Sequence, residues 1–201
     1  YPYRLEHYNH LELQMTWAMP LALLFLHEYL VRGRRRNAIG AALCLLAQLY
    51  SSMYYFAFFT VCLAGLVPLL LPTARVPVRR LVPSAVIAGA IVALLAIPLA
   101  IPYSRARSVR GEQSLEIVGA FSARASDYLT AHERSALYGK RLPNRLGGRA
   151  LFPGVVPIVL AAVALVPPVS LTTVAYGAGT AIAFEGSRGT NGYLYPPIYE
   201  W

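Results

Sequence analysis

Three groups of residues in this chain carry side chains that could do chemistry, and they lie far apart in sequence. The first is His7, His10 and Glu12 in the run HYNHLE. A His-x-x-His spacing can put two imidazoles on one helix face, where a nearby carboxylate helps them hold a divalent ion. The polar face continues at Gln14; an outer polar pocket and a plain interfacial segment are the readings open beside a metal site. The second group is Ser52, Tyr54 and Tyr55, with Ser51, in the run YSSMYY. Hydroxyls at a break between apolar stretches can line a cavity for a sugar or a lipid headgroup, or they can cap helix ends. The third group is Arg105, Arg107 and Arg110, just after a long apolar run. A guanidinium at that position meets phosphate and can grip it with two parallel hydrogen bonds. Ordinary headgroup contact is the plainer reading. Glu116 and Asp127 are lone carboxylates that could act as bases, but neither has a recognisable partner. The sequence contains no Ser/His/Asp order, phosphate-cradling Gly loop, CxxC or HExxH.

The elements that must position these groups are apolar. The chain is 57% hydrophobic and 13% charged, with a mean hydropathy of +0.49. A soluble domain of this length needs more polar surface to cover its core. The expectation is an all-α, polytopic helical membrane protein with about six apolar spans, because helices satisfy their own backbone groups in lipid. The net charge of +9 then sets orientation and attracts anionic headgroups, and points to no nucleic acid. Cys44 and Cys62 lie in apolar runs and read as packing thiols.

In chain order, the expected organisation is an outer segment over 1–14 and spans near 11–31, 38–50, 54–71, 81–101, 151–166 and 170–184. An outer loop fills 102–150, and an outer tail 185–201. Trp17 and Tyr29 stand near the ends of the first span as interfacial anchors would, and Pro20 is placed to kink it. Arg32, Arg34, Arg35 and Arg36 follow directly, a dense positive-inside mark. Residues 38–71 carry no charge; as one helix they would reach roughly 51 Å, beyond a bilayer core. A hairpin broken at the Tyr50–Tyr55 stretch resolves this. It also puts Arg75, Arg79 and Arg80 on the same inner side as the first arginine turn.

The loop over 102–150 is the one long polar segment. It holds nine of the 18 Lys and Arg, against the four acids Glu112, Glu116, Asp127 and Glu133. By raw count it belongs inside. The short loops are denser in arginine, and that density assigns the loop to the outer face. Within it, residues 114–129 show apolar positions at helical spacing, with Ser114 as N-cap, and are expected to form one amphipathic helix along the membrane. The chain starts at Tyr1 and ends in the run YPPIYEW; both ends look cut, so a longer protein is expected, with the rest of the chain as a partner.

The run HLELQMTWAMPLALLFLHEYL, the arginine turn, the hairpin broken at SSMYY, and the later RGEQSLEIVGAFSARASDYL, LYG, LFPG and GTNGYLYPPIYEW together resemble bacterial integral-membrane glycosyltransferases of the GT-C superfold. The nearest in pattern are the dolichyl-phosphate-mannose mannosyltransferase-like and YfhO-like proteins. The resemblance implies a multi-pass protein of the cell inner membrane, its large loop facing the periplasm or exterior. Such enzymes move a sugar from a polyprenyl-phosphate donor to an acceptor. Their usual acid near the first span matches nothing here, so no catalytic residue is carried over, and no cofactor is assigned beyond the divalent ion already weighed. Substrate contacts carried over are His7, His10, Gln14, Ser52, Tyr54, Tyr55, Arg105 and Arg107. The rival classes are a transporter or flippase for a lipid-linked or polar substrate, and a non-enzymatic membrane scaffold. The spans hold almost no intramembrane charge, which counts against transport.

Overall fold

The structure, a computed structural model, describes residues 14–110, 115–143 and 150–194; the side chains of Arg107, Val109 and Arg110 lie outside that description. The described residues are helical, with no strand among them. The helices are α1 (Ala18–Arg32), α2 (Arg35–Ser51), α3 (Met53–Leu70), α4 (Val78–Arg110), α5 (Leu115–Phe121), α6 (Val155–Ala164) and α7 (Leu171–Ser187). Short 3-10 turns stand at Leu71–Thr73, Ala125–Leu129 and Gly189–Asn191. The chain divides into two units, Met15–Glu112 and Gln113–Trp201 with Tyr1–Gln14.

In the first unit, α1 and α2 pair through small residues. Ala18 and Ala22 on α1 and Ala38, Ala42 and Cys44 on α2 are buried. Small side chains let helix backbones approach closely. Gly40 makes room for a ring from the partner helix: a Cβ there would stand 2.8 Å from the Phe25 ring. Phe59 of α3 completes this core with Ala18, Ala22 and Cys44.

The uncharged run over 38–71 is two helices, not one. α2 stops at Ser51, and Ser52 takes an extended conformation at φ −158° and ψ 103°. Its hydroxyl accepts the Tyr55 N–H at 3.4 Å and so caps α3. The hairpin is fixed by contacts at both ends. At the break, Gln48 Nε2 donates to the Met15 carbonyl, just ahead of α1. At the far end, the Arg75 N–H donates to the Leu30 carbonyl, and the Tyr29 hydroxyl donates to the Leu81 carbonyl. Thus α3 ends where α1 ends, and the two arginine turns share one end of the unit.

Three local expectations change. α1 starts at Ala18, so Pro20 lies in its first turn, where a missing N–H costs nothing; it does not kink the helix. Tyr29 is 4% exposed, packed inside the unit rather than standing as an interfacial anchor. α4 does not stop near Ile101; it runs through Pro98 and Pro102 to Arg110. Intact helix flanks each proline, and the Ser104 hydroxyl adds a bond to the Ile101 carbonyl.

Two helices are long and apolar enough to cross a membrane: Met53–Thr73, counting its closing turn, and Val78–Ala106. Val86, Ile87, Leu94 and Ile97 of α4 are all exposed, an apolar flank of the kind that meets lipid or another apolar surface. The other four expected spans are helical but shorter, with 15, 17, 10 and 17 residues in α1, α2, α6 and α7.

The second unit is built differently. The expected single helix over 114–129 is two pieces, α5 and the 3-10 turn, separated by Ser122, Ala123 and Arg124; Ser114 lies outside the described residues. The break exists because Ser122 bonds elsewhere. Its hydroxyl donates to Val118 O at 2.9 Å and accepts the Thr190 N–H at 3.0 Å. Asn191 Nδ2 donates to the carbonyls of Ser122 and Ala123.

Candidate functional site

The sequence-selected residues distribute over both units. His7, His10 and Glu12 lie outside the described residues. Gln14 is half-buried in a turn that precedes α1. Among the described residues, no group of three His, Cys, Asp or Glu side chains comes together in a way that could hold a metal ion.

Ser52 is buried at 3% exposure, so its hydroxyl serves the α3 cap. Tyr54 points outward and is exposed; Tyr55 is half-buried. Beside them Gln48 is 1% exposed, with its Oε1 lacking a hydrogen-bond partner. Tyr50 reaches across from the end of α2 and donates to the Leu95 carbonyl of α4 at 2.9 Å. This contact sets the level of the hairpin break along α4. Arg105 comes ten residues later, so it stands about 15 Å further along the helix axis at 1.5 Å per residue. It is exposed. The hairpin break and Arg105 therefore share one end of the unit but do not meet.

The opposite end is strongly cationic. Arg32, Arg34, Arg35, Arg36, Arg75, Arg79 and Arg80 are all exposed there. Glu28 pairs with Arg32 at 2.8 Å. α2 and α4 both begin at this end, and neither has an acid in its first turn. Helix dipoles favour acids there and disfavour arginines, so the local rule is broken twice in the same place.

In the second unit, Asp127 is fully buried rather than turned to solvent. Its Oδ2 accepts the Arg124 N–H at 2.8 Å, and its carbonyl accepts N–H groups from Thr130 and Leu151. Asp127 is thus a bracket for the loop, and its chemistry is spent on structure. Glu116 is exposed on α5.

A second polar knot lies past α7. Glu185 Oε1 accepts from Arg188 at 2.6 Å, and Oε2 accepts the Tyr193 N–H at 3.1 Å. The Tyr193 N–H first, and Arg188 after it, hold the Glu185 carboxyl below the usual carboxylate range. Sequence reading passed over Glu185, Arg188 and Gln48. For the first two the available signal was the opposite-charge spacing of three within EGSR; for Gln48, it was an amide inside an otherwise apolar helix.

No protein-family model, no curated protein and no solved structure matches this chain.

Proposed function

We propose that the chain is part of a multi-pass membrane glycosyltransferase of the GT-C type. In this reading the six apolar segments cross the inner membrane. The arginine turns stay inside, and the polar segment after α4 faces the periplasm or exterior. The substrate is a polyprenyl-phosphate-linked sugar. An acceptor hydroxyl or amide attacks the anomeric carbon; the bond from that carbon to the phosphate oxygen breaks, the electron pair leaves with the phosphate, and the acceptor's proton passes to solvent or to the departing phosphate. Arg105 and Arg107 stabilise the charge that develops on the departing group.

The observation that carries the reading is the placement of charge along α4. The helix begins at Val78 beside one set of arginines and ends past Arg105. Between them lies an apolar stretch long enough to cross a bilayer. A guanidinium just beyond such a stretch stands at headgroup depth, where the phosphate of a lipid-borne donor would lie. The exposed apolar flank of α4 supports contact with lipid. The resemblance of the hairpin and loop runs to GT-C proteins supplies the reaction class.

Replacing Arg105 and Arg107 by Gln should lower turnover of a polyprenyl-phosphate sugar donor roughly a hundredfold, the scale for losing a charge-stabilising donor. Membrane-inserted protein, measured on the same samples, should stay near the level of the unsubstituted chain. Equal losses in turnover and in inserted protein would leave those arginines with a topological role only.

A further inference from the structure

We propose that the two arginine turns of the Met15–Glu112 unit form one binding face for the headgroup of an anionic phospholipid, held between both turns. The turns are far apart in sequence, and the fold locks them together. The Arg75 N–H donates to the Leu30 carbonyl at 3.2 Å. Gly33, in the left-handed conformation at φ +65°, closes the first turn on the Tyr29 carbonyl. A Cβ on Gly33 would stand 3.0 Å from Val76 Cγ1, so the turns already pack against each other. Seven exposed arginines surround this junction.

Arginines 32, 34, 35 and 36 come from one turn and arginines 75, 79 and 80 from the other. Glu28, bound to Arg32, is the acid whose ion pair the described residues show here. Two helix starts and two helix ends meet at this face, so their dipoles largely offset one another and the arginine side chains carry the charge. Like charges gathered this closely repel one another, and an anionic partner relieves that repulsion. Guanidinium groups suit phosphate because they bind it through two parallel bonds.

The choice of lipid over other anions follows from the helices. α3 ends at this face and α4 begins there, and both are long and apolar enough to cross a bilayer. A membrane that takes up those helices brings its headgroups level with the arginines, where anionic lipids attract juxtamembrane basic groups. The inference rests on the membrane part of the proposed function, not on its enzyme part.

The test uses the purified full chain in a neutral detergent. Dioleoylphosphatidylglycerol, dioleoylphosphatidylcholine or inorganic phosphate is added, and the thermal midpoint is read by circular dichroism. Phosphatidylglycerol should raise the midpoint by about 4 °C, the shift a modest binding energy gives a chain of this size. Phosphatidylcholine and inorganic phosphate should not. The variant R35Q/R36Q/R79Q/R80Q should lose the shift, and each half of it, R35Q/R36Q or R79Q/R80Q, should lose more than half. The control R124Q/R134Q/R141Q should keep it, and 0.5 M salt should shrink it by screening. An equal shift in the fourfold variant, an equal shift with phosphatidylcholine, or the full shift with phosphate alone would overturn the proposal. If the fourfold variant fails to fold, the two half variants decide. Alkaline extraction from phosphatidylcholine vesicles is read in parallel. Extraction of the chain would defeat the membrane reading itself, whereas retention without a phosphatidylglycerol shift defeats this inference alone.

Discussion

The two units hold themselves together by different means. Met15–Glu112 is four helices in which close packing and three side-chain bonds to distant carbonyls, from Tyr29, Gln48 and Tyr50, fix the arrangement. The other unit has two short helices beside α7 and depends on polar brackets. The Asp127 carboxylate caps its own turn, and Ser122, Glu185 and Arg188 each hold backbone outside the helices. The first design depends on shape and the second on hydrogen-bond partners, so substitutions should damage them in different ways.

The largest effect should come from Gly40→Leu. The added side chain must occupy space that the Phe25 ring fills, and overpacking of this kind costs about 1–3 kcal/mol. Thermal melting in detergent should show the loss, together with weakened pairing of α1 and α2. Asp127→Ala comes next. It leaves the Arg124 N–H without its carboxylate acceptor, at a cost of about 1–3 kcal/mol. Limited proteolysis should then open the segment around residues 122–131 while α1 to α4 stay protected. Asp127→Asn keeps an acceptor and should recover part of the loss. If Asp127→Ala instead exposed the first unit equally, the contrast between the two designs would be wrong.

Ser52→Ala removes the cap of α3 and should cost about 1 kcal/mol, read as a lower melting temperature with the hairpin retained. The smallest effect is the pH response of Glu185. Its folded-state carboxyl is held below its ordinary value by the Tyr193 N–H and by Arg188. The sign follows: the bracket contributes fully above the ordinary carboxylate pKa and is lost as pH falls through the lowered folded value. The protection factor of the Tyr193 amide, taken relative to the intrinsic exchange rate at each pH, should therefore fall on acidification. Glu185→Gln should flatten that response, and an unchanged acid profile in this variant would remove Glu185 as its cause.

How much of this was legible beforehand differs between the units for the same physical reason. The hairpin break at Ser52 could be read from an uncharged run too long for one span, interrupted by serines and tyrosines. The shared placement of the arginine turns followed from counting crossings. Both are local or arithmetical signals. The burial of Asp127 could not be read, because its partners include Leu151, which only the folded chain brings near. The split of the expected helix over 114–129 escaped for a similar reason. Leu115, Val118 and Phe121 follow helical spacing, but Ser122 is held by Thr190 and Asn191 from the distant end of the unit. Helix length also differs at α4: the polar stretch after Ile101 suggested a loop, but the helix continues through it to Arg110. The hydroxyls of the hairpin tip looked available to a ligand, but the Ser52 hydroxyl is buried as a cap, Tyr55 is half-buried, and Tyr54 is exposed.

The measurement that tests the central claim most directly is the sidedness of α4. With Cys44 and Cys62 replaced by Ala, single cysteines at Arg35 and at the exposed Ser126 are treated with a membrane-impermeant maleimide in intact cells. The account predicts labelling of Ser126→Cys from outside, and labelling of Arg35→Cys only after the membrane is permeabilised. Labelling of both positions from the same side would contradict it.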